Sequence, residues 1–384
     1  MHFEFSTAAR IVFCAGAVAE VGPAAKAMGR RALLALGMTR DPAQPVLDAL
    51  AAQGVTAVIY PVSGEPDLDC IRHGVRQALA QGCDLVIGCG GGSAIDAGKA
   101  IAALASNGGD PLDYMEIIGR GQPITQPPLP YIAIPTTAGT GAEVTRNAVL
   151  ASPEHRVKAS LRSPLLLPRL AIVDPVLTYT MPPEVTASTG LDALTQVTEP
   201  FVSVRANPLA DGFCREGIQR AARSLRRAYE HGDDAAARED MALASLLGGL
   251  ALANAGLGAV HGIAGAVGGM FPAPHGAVCA ALLPVVMTAN VQALQQRQPD
   301  SASLRRYDDI ARLLTGHSRA TAPDGVAWVQ HLCASLRIPR LSAYGVIAPD
   351  IPALVQKAMA ASSSKGNPIV LTAEEMGEIV REAV

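Results

Sequence analysis

The strongest constraint on the fold is a change of pattern part-way along the chain. Up to about residue 178, short apolar runs alternate with longer segments of helical period. This pattern is typical of parallel strands joined by crossover helices. After Pro182 and Pro183 the strand signals stop, and only helical patterns follow. The segregation predicts an α/β domain over residues 1–180 and an all-helical domain over residues 181–384.

The predicted strands are apolar runs without polar alternation, as expected when both faces of a parallel sheet are covered. They span residues 32–37, 57–62, 84–88, 131–135 and 170–173. In the second half, helical periodicity predicts helices over residues 184–199, 208–229, 235–252, 276–293, 303–314, 325–336 and 351–360. A cleft between two such domains is the default location of an active site.

Composition excludes several classes of protein. Of the 384 residues 49% are apolar and 17% are charged, so a disordered chain is excluded. The net charge is −3, aromatic residues make up 4%, and no basic block is long enough to follow a phosphate backbone, which argues against a nucleic-acid partner. The seven cysteines form no CxxC pair and the N-terminus lacks a signal-peptide pattern, which together predict reduced thiols in the cytoplasm.

One long stretch carries no formal charge. Residues 241–296 contain no Asp, Glu, Lys or Arg. The stretch is interrupted before about 20 consecutive apolar residues accumulate, so it predicts buried helices and no membrane span. The interrupting residues are Asn254, His261, Pro272, Pro274, His275 and many glycines.

A glycine-rich turn joins the third predicted strand to a helix. It contains Gly90, Gly91, Gly92 and Ser93, and the spacing of Ser93 and Asp96 predicts a capping box. Such a turn lets the backbone approach a pyrophosphate, and the helix N-terminus attracts the negative charge. The sequence matches neither a Walker A loop nor a complete Rossmann GxGxxG, so an ordinary strand-to-helix turn is the alternative.

A second polar loop follows the strand at residues 131–135. Thr136, Thr137 and Thr140 suit hydrogen bonding to a ribose, a diphosphate or a carboxamide, because ligands of open α/β sheets bind at the carboxyl ends of the strands. The alternative is a loop that satisfies only its own backbone.

Possible metal ligands are scattered through the helical half. Asp192 and Gln196 are spaced i and i+4 and therefore lie on one helix face, and His261 and His275 follow in the charge-free stretch. Carboxylate and imidazole are ligands of catalytic zinc or iron, although this spacing matches no short zinc signature. A histidine on an apolar helix is also often a core residue with satisfied hydrogen bonds.

Taken together, these segments resemble the iron-containing (group III) alcohol dehydrogenase family. The glycine-rich turn is similar to the family segment GGGSxxDxxK, and the threonine-rich loop to PTTAGTGSEVT. The helix from Gly190 to Ser203 is similar to DALTHxxE, and the histidine segments to HGxxHxxG and PHGxxxxxLLP. The resemblance implies a dehydroquinate synthase-like architecture, with a Rossmann-like dinucleotide-binding domain over residues 1–180 and a metal and substrate domain over residues 181–384.

The resemblance also implies a ligand set for a divalent metal, iron or zinc. Asp192, His261 and His275 match three of the four family ligands, and Gln196 stands where the fourth is normally His. A neutral amide oxygen is a weaker ligand than imidazole. The second His of HGxxH is Gly265 here, so both departures affect the metal site and the path of the proton.

The implied cofactor is NAD or NADP. By position, the diphosphate and the nicotinamide ribose would be held by Gly91, Gly92, Ser93, Thr136, Thr137 and Thr140, with Lys158 near the same ribose. Many NAD-preferring relatives have Asp where this chain has Gly37. Gly37 leaves room for a 2′-phosphate, and Arg40 is close enough in sequence to pair with it or to be a solvated loop residue.

The leading hypothesis is therefore an NAD(P)-dependent alcohol dehydrogenase or aldehyde reductase. It would transfer hydride between nicotinamide and a small alcohol or aldehyde at a divalent metal in the interdomain cleft, and relatives suggest a homodimer. One alternative is a maleylacetate-reductase-like enzyme, which acts on a carboxylate-bearing substrate without requiring metal. Another is a nucleotide-binding protein whose metal site has decayed through Gln196 and Gly265.

Overall fold

The computed structural model describes residues 2–37 and 43–384, which form two compact units. The α/β unit comprises residues 6–137 and 141–180. The helical unit comprises residues 181–384 together with residues 2–5 and the short segment 138–140. Each unit has its own hydrophobic core.

The α/β unit is built on a parallel sheet. Its strands are β1 (Ile11–Phe13), β2 (Arg31–Leu36), β3 (Thr56–Pro61), β4 (Leu85–Gly90), β5 (Tyr131–Pro135), β6 (Asn147–Ser152), β7 (Val157–Arg162) and β8 (Leu170–Val173). Six of them form the sheet in the order β1-β8-β5-β4-β2-β3, with every neighbouring pair parallel, whereas β6 and β7 form a separate antiparallel pair.

Helices cover both faces of this sheet. They are α1 (Val21–Met28), α2 (Gln44–Ala52), α3 (Leu68–Ala80), α4 (Gly92–Asn107) and α5 (Pro111–Tyr114). Side chains alternate along β2, so that Leu33 and Ala35 enter the core shared with α3 and α4, and Leu34 and Leu36 enter the core shared with α1 and α2. The predicted α/β architecture is confirmed.

The five predicted strands correspond to β2, β3, β4, β5 and β8, with ends that differ by at most two residues. The strands β1, β6 and β7 were not predicted. β1 has only three residues and lies at the edge of the sheet. β6 alternates buried and half-buried residues and therefore lacks the continuous apolar run that marked the other strands.

The helical unit contains α6 (Pro183–Val202), α7 (Pro208–Glu230), α8 (Ala235–Ala255), α9 (Ala259–Met270), α10 (His275–Arg297), α11 (Ala302–Thr315), α12 (Ala322–Ser335), α13 (Ile351–Ala360) and α14 (Ala373–Ala383). The helix α6 is central, because every residue from Gly190 to Val202 is buried and the helix packs against α7, α8 and α10. The predicted all-helical second half is confirmed.

Two of these helices were not predicted. α9 contains four glycines in the sequence AVHGIAGAVGGM, which lowers its intrinsic helix propensity, so tertiary packing must stabilise it. α14 begins with a capping box between Thr372 and Glu375, a signal that the sequence does contain.

The helix α10 lies in the charge-free stretch. It is long and apolar enough to cross a membrane, but 78% of its most apolar window is buried inside the protein. This agrees with the prediction of a buried core helix.

Candidate active site

Three polar side chains of α6 share one face of that helix. Asp192, Gln196 and Glu199 are spaced i, i+4 and i+7, which places them in one row. They are 1%, 2% and 5% exposed, respectively. The first two were predicted as site residues, and Glu199 was not, although the same spacing includes it.

Glu199 fixes the orientation of His261 on α9. One carboxylate oxygen of Glu199 accepts a hydrogen bond from the backbone N–H of Val260 at 2.7 Å. The other lies 2.6 Å from Nδ1 of His261. Because Nδ1 is engaged, Nε2 is the nitrogen left for a ligand, and it lies 3.4 Å from Oδ1 of Asp192.

The helix α10 contributes two further donor atoms. His275 and Cys279 are one turn apart, and Nε2 of His275 lies 3.6 Å from Sγ of Cys279 and 3.9 Å from Oδ1 of Asp192. One donor atom from each of Asp192, His261, His275 and Cys279 lies within 4.8 Å of all the others. The structure therefore brings together residues that are far apart in the sequence.

Three buried atoms, on Asp192 and on its neighbours Gln196 and His261, have no hydrogen-bond partner among the described residues. They are Oδ1 of Asp192, Oε1 of Gln196 and Nε2 of His261. An unpartnered buried polar atom costs about 1–3 kcal/mol, so three such atoms in one group indicate a site that a ligand completes. Carboxylate, imidazole and thiolate are donors that suit a divalent transition metal, and the residues therefore fit a metal ion.

The protonation of these groups reflects their crowding. Burial alone would raise the pKa of Asp192, but the imidazoles of His261 and His275, with a smaller effect of the Gln196 amide, outweigh burial and hold the pKa below its usual value. Burial alone would lower the pKa of His261, but Cys279, Glu199 and Asp192 raise it well above the usual value. An entering metal ion must therefore displace protons.

The carboxyl ends of β2, β4 and β5 place several predicted cofactor residues side by side. The backbone N–H of Gly37 donates to a carbonyl of β4 at 2.9 Å, and that of Thr136 donates to the carbonyl of Gly90 at 2.9 Å. The side chain of Thr137 is the nearest neighbour of Gly91. Ligands of open α/β sheets bind at this edge.

The start of α4 corrects one sequence prediction. Gly91 is the N-cap residue, and no side chain caps the helix. The predicted capping box is therefore wrong: Ser93 lies within the first turn, and Asp96 accepts a hydrogen bond from the backbone N–H of Val149 at 3.0 Å instead. Without a side-chain cap, the first N–H groups of α4 remain available to an anion.

The glycines of this turn differ in what they permit. A Cβ atom at Gly90, whose φ is 152°, would lie 2.8 Å from Cβ of Ala94 and 3.0 Å from the backbone nitrogen of Gly37, so packing requires glycine. A Cβ atom at Gly91 would meet only the side chain of Thr137, at 3.4 Å. A Cβ atom at the half-buried residue 91 would therefore make a close van der Waals contact with one side chain only, whereas one at Gly90 would meet backbone atoms.

The other predicted cofactor residues have different surroundings. Lys158 lies on β7, is 8% exposed and pairs with Glu65 at 2.9 Å. Thr140 belongs to the segment 138–140, which groups with the helical unit. Arg40 lies outside the described residues.

Comparison with known families accounts for almost the whole chain. Residues 8–175 match the family described as "Iron-containing alcohol dehydrogenase", and residues 186–384 match "Fe-containing alcohol dehydrogenase family, C-terminal". The chain belongs to the iron-containing alcohol dehydrogenase family. The predicted resemblance is confirmed.

Comparison with individual proteins supports the same family assignment. The protein is 37% identical over 337 residues to alcohol dehydrogenase 4 of Schizosaccharomyces pombe, covering 87% of this chain and 77% of the relative. It is 35% identical over 380 residues to 1,3-propanediol dehydrogenase of Klebsiella pneumoniae, covering 97% and 96%. The crystal structure of a 1,3-propanediol oxidoreductase superposes with a TM-score of 0.92 at 33% identity over 100% of both chains. The protein is an oxidoreductase that acts on CH–OH groups.

Three residues near the predicted metal ligands were missed by sequence reasoning. Cys279 follows His275 at i+4, and Glu199 follows Asp192 at i+7, so helical spacing was an available signal for both. Asn367 accepts a hydrogen bond from the backbone N–H of Ala259 at 3.1 Å and so helps to hold the start of α9. No local pattern marks Asn367, because its partner is distant in the sequence.

Proposed function

We propose that this family member is an NAD(P)-dependent alcohol dehydrogenase or aldehyde reductase that uses one divalent metal ion. The observation that carries the proposal is the group of three buried, unpartnered donor atoms on Asp192, Gln196 and His261. A decayed site would be expected to refill with internal hydrogen bonds, because unpaired buried groups destabilise the fold.

The proposed ligands of the ion, iron or zinc, are Asp192, His261, His275 and Gln196. Glu199 orients His261 so that Nε2 faces the other donors. When bound, the ion supplies positive charge beside the substrate oxygen, and the nicotinamide donates or accepts the hydride. Asp192 contributes the negative charge that keeps the ion in the buried site.

Gly265 provides space for the substrate next to this group. It lies one turn after His261 on α9, and a Cβ atom at Gly265 would meet no described atom within 4 Å. Other members of the family have a second histidine at this position. With glycine, the site has more room and lacks that imidazole.

We assign dinucleotide binding to the domain of residues 1–180, and metal and substrate binding to the domain of residues 181–384. The first N–H groups of α4 would bind the diphosphate at Gly91, Gly92 and Ser93. The hydroxyl groups and the ammonium group proposed to contact the nicotinamide ribose belong to Thr136, Thr137, Thr140 and Lys158.

Gly37 is proposed to admit NADPH as well as NADH. An acidic side chain there would repel a 2′-phosphate, and glycine does not. A Cβ atom at Gly37 would lie 3.4 Å from Cα of Gly90, so Gly37→Asp is compatible with the fold. This variant should shift the preference toward NADH by about 1–3 kcal/mol, measured as the ratio of kcat/KM for the two cofactors.

The test of the proposed function combines turnover with metal analysis. Purified protein is assayed with a panel of alcohols and aldehydes and both cofactors, and its metal content is measured. We expect turnover and bound metal in the native protein and the loss of both in His261→Ala. His331→Ala, which removes an exposed imidazole from α12, is the matched control and should retain both. A metal-free His261→Ala protein with full activity would refute the metal-dependent reaction.

The neutral amide of Gln196 favours one second candidate, a maleylacetate-reductase-like enzyme. Adding carboxylate-bearing substrates to the panel tests it, because their turnover by metal-free protein would replace the first proposal. Binding of both cofactors without any turnover would indicate a nucleotide-binding protein.

We also propose that the protein is a cytoplasmic homodimer and that its other partners are small molecules. Light scattering measures the oligomeric state.

A further inference from the structure

The metal-ligand group contains a sulfur atom that the proposed ligand set does not use. Cys279 is fully buried at 0% exposure, and it lies one turn after His275 on α10. Its Sγ atom points to Nε2 of His275 at 3.6 Å and belongs to the group whose donor atoms all lie within 4.8 Å of one another. Two other atoms of this group, Oδ1 of Asp192 and Nε2 of His261, are buried, and no hydrogen-bond partner for them lies in the part of the chain that the structure describes.

Two separations between donor atoms equal those expected around a tetrahedral zinc ion. With Zn–N and Zn–O bonds of about 2.0–2.2 Å and Zn–S bonds of about 2.3 Å, two ligands lie about 3.4 Å apart for N and O and about 3.6 Å apart for N and S. The observed separations are 3.4 Å between His261 Nε2 and Asp192 Oδ1 and 3.6 Å between His275 Nε2 and Cys279 Sγ. The distance from His275 Nε2 to Asp192 Oδ1 is longer, at 3.9 Å.

We infer that Cys279 is a thiolate ligand of the metal ion and that it, rather than Gln196, completes the set with Asp192, His261 and His275. The inference rests on the proposed function, because it concerns the same ion. On metal binding the thiol proton leaves to solvent, and the sulfur donates an electron pair to the metal. Gln196 then keeps the role of a neighbour of the Asp192 carboxylate.

A thiolate changes which metal the site prefers. With Asp192 and Cys279 the ligand set carries two negative charges, which balance a divalent ion in a buried site. A soft sulfur ligand favours zinc over iron(II). A ligand set of one carboxylate and three nitrogen or oxygen donors, without sulfur, prefers zinc less strongly. This chain therefore has a zinc-selective version of the site.

The test uses the full-length protein loaded with Co²⁺ or Zn²⁺. Co²⁺-loaded protein should show thiolate-to-cobalt charge-transfer absorption in the near ultraviolet. X-ray absorption at the zinc edge should show one sulfur at about 2.3 Å among nitrogen and oxygen ligands at about 2.0–2.2 Å. This second measurement uses the native sequence and does not depend on whether a variant folds.

Variants then assign the sulfur to one residue. Cys279→Ser should abolish the charge-transfer absorption. It should also weaken zinc binding by at least about 10-fold to 100-fold, which is the effect of losing a residue that only orients a metal ligand. Iron(II) binding should weaken less. Cys214→Ser, which changes an equally buried cysteine of α7 outside the donor group, should change neither property.

The outcomes separate this inference from the proposed function. Stoichiometric metal that is lost in His261→Ala, with no sulfur at the metal, would overturn the role of Cys279 and leave the proposed function standing. A charge-transfer band that persists in Cys279→Ser would overturn it as well. Protein that binds neither Co²⁺ nor Zn²⁺ would overturn both.

Discussion

The two units of this protein each bury a cluster of titratable side chains, but the clusters differ in their hydrogen bonding. In the α/β unit, Nζ of Lys99 donates to Oγ1 of Thr145 and to the carbonyl of Asn147, both at 2.8 Å, and lies 3.5 Å from Asp96. Asp96 also accepts a hydrogen bond from the backbone N–H of Val149. In the helical unit, Oδ1 of Asp192, Oε1 of Gln196 and Nε2 of His261 are buried and have no hydrogen-bond partner among the described residues.

The difference separates a structural cluster from a ligand site. The cluster around Lys99 satisfies its own charges and joins α4 to the segment that includes β6. The cluster around Asp192 leaves buried polar atoms without a partner among the described residues, and we propose that a ligand completes it. Burial and unusual pKa values occur in both clusters, so the unpaired atoms are the feature that identifies the functional one.

The largest effect is expected from breaking the satisfied cluster. Lys99→Met removes the one cationic partner that Asp96 has among the described residues, and it removes the hydrogen-bond donor to Oγ1 of Thr145. The free energy of unfolding in urea at neutral pH should therefore fall by about 3–5 kcal/mol. Lys26→Met, which changes an exposed lysine of α1, should stay within about 0.5 kcal/mol. A fall of less than about 1 kcal/mol for Lys99→Met would contradict a structural role for the cluster.

The cluster also includes the buried Glu143, whose charge interacts with that of Lys99, and the pH dependence of stability therefore provides a second test of it. Burial raises the pKa of Glu143 from its usual 4.5 to about 7. Between these values the folded protein keeps a proton on Glu143 that the unfolded chain has lost, so the contribution of Glu143 to stability falls as pH rises through this window, by about 3 kcal/mol.

The isosteric variant Glu143→Gln does not titrate and should lose less free energy of unfolding between pH 4.5 and pH 7 than the native protein. Urea unfolding at a series of pH values measures the difference. The exposed Glu154→Gln is the control and should follow the native curve. Parallel curves for the native protein and Glu143→Gln would show that Glu143 does not bind the additional proton.

In the helical unit, Glu199→Gln is expected to weaken metal binding about 10-fold to 100-fold, because the imidazole of His261 loses the carboxylate that orients it. Competition with a chelator measures the affinity. Glu239→Gln, on the exposed face of α8, is the control. Unchanged metal affinity in Glu199→Gln would mean that the helix alone positions His261.

The smallest effect is expected at Gln196. Gln196→His adds an imidazole where Oε1 is now unpaired, and it should tighten metal binding by about 10-fold or less if the new ring reaches the ion. The exposed Gln292→His on α10 should have no effect. No change of affinity for Gln196→His would place residue 196 outside the metal ligands, in agreement with Cys279 as the fourth.

The sequence by itself determined the architecture and the family. Continuous apolar runs predicted β2, β3, β4, β5 and β8, because a strand buried on both faces has no polar positions. Helical period predicted most of the second half, and Asp192, His261 and His275 followed from motifs that the chain retains. The elements β1, β6 and α9 were not predicted, because short, alternating or glycine-rich segments give weak local signals.

Tertiary structure decided which side chains meet. Spacing places His275 and Cys279 on one face of α10, and Asp192 and Glu199 on one face of α6, but only the packing of α6, α9 and α10 brings these faces together. Likewise, Glu199 meets His261 across 62 residues of sequence, and the cap of α4 is Gly91 instead of Ser93. Local periodicity determines which residues share one face of a helix. Which other helix packs against that face depends on contacts between residues far apart in the sequence, and no local pattern predicts them.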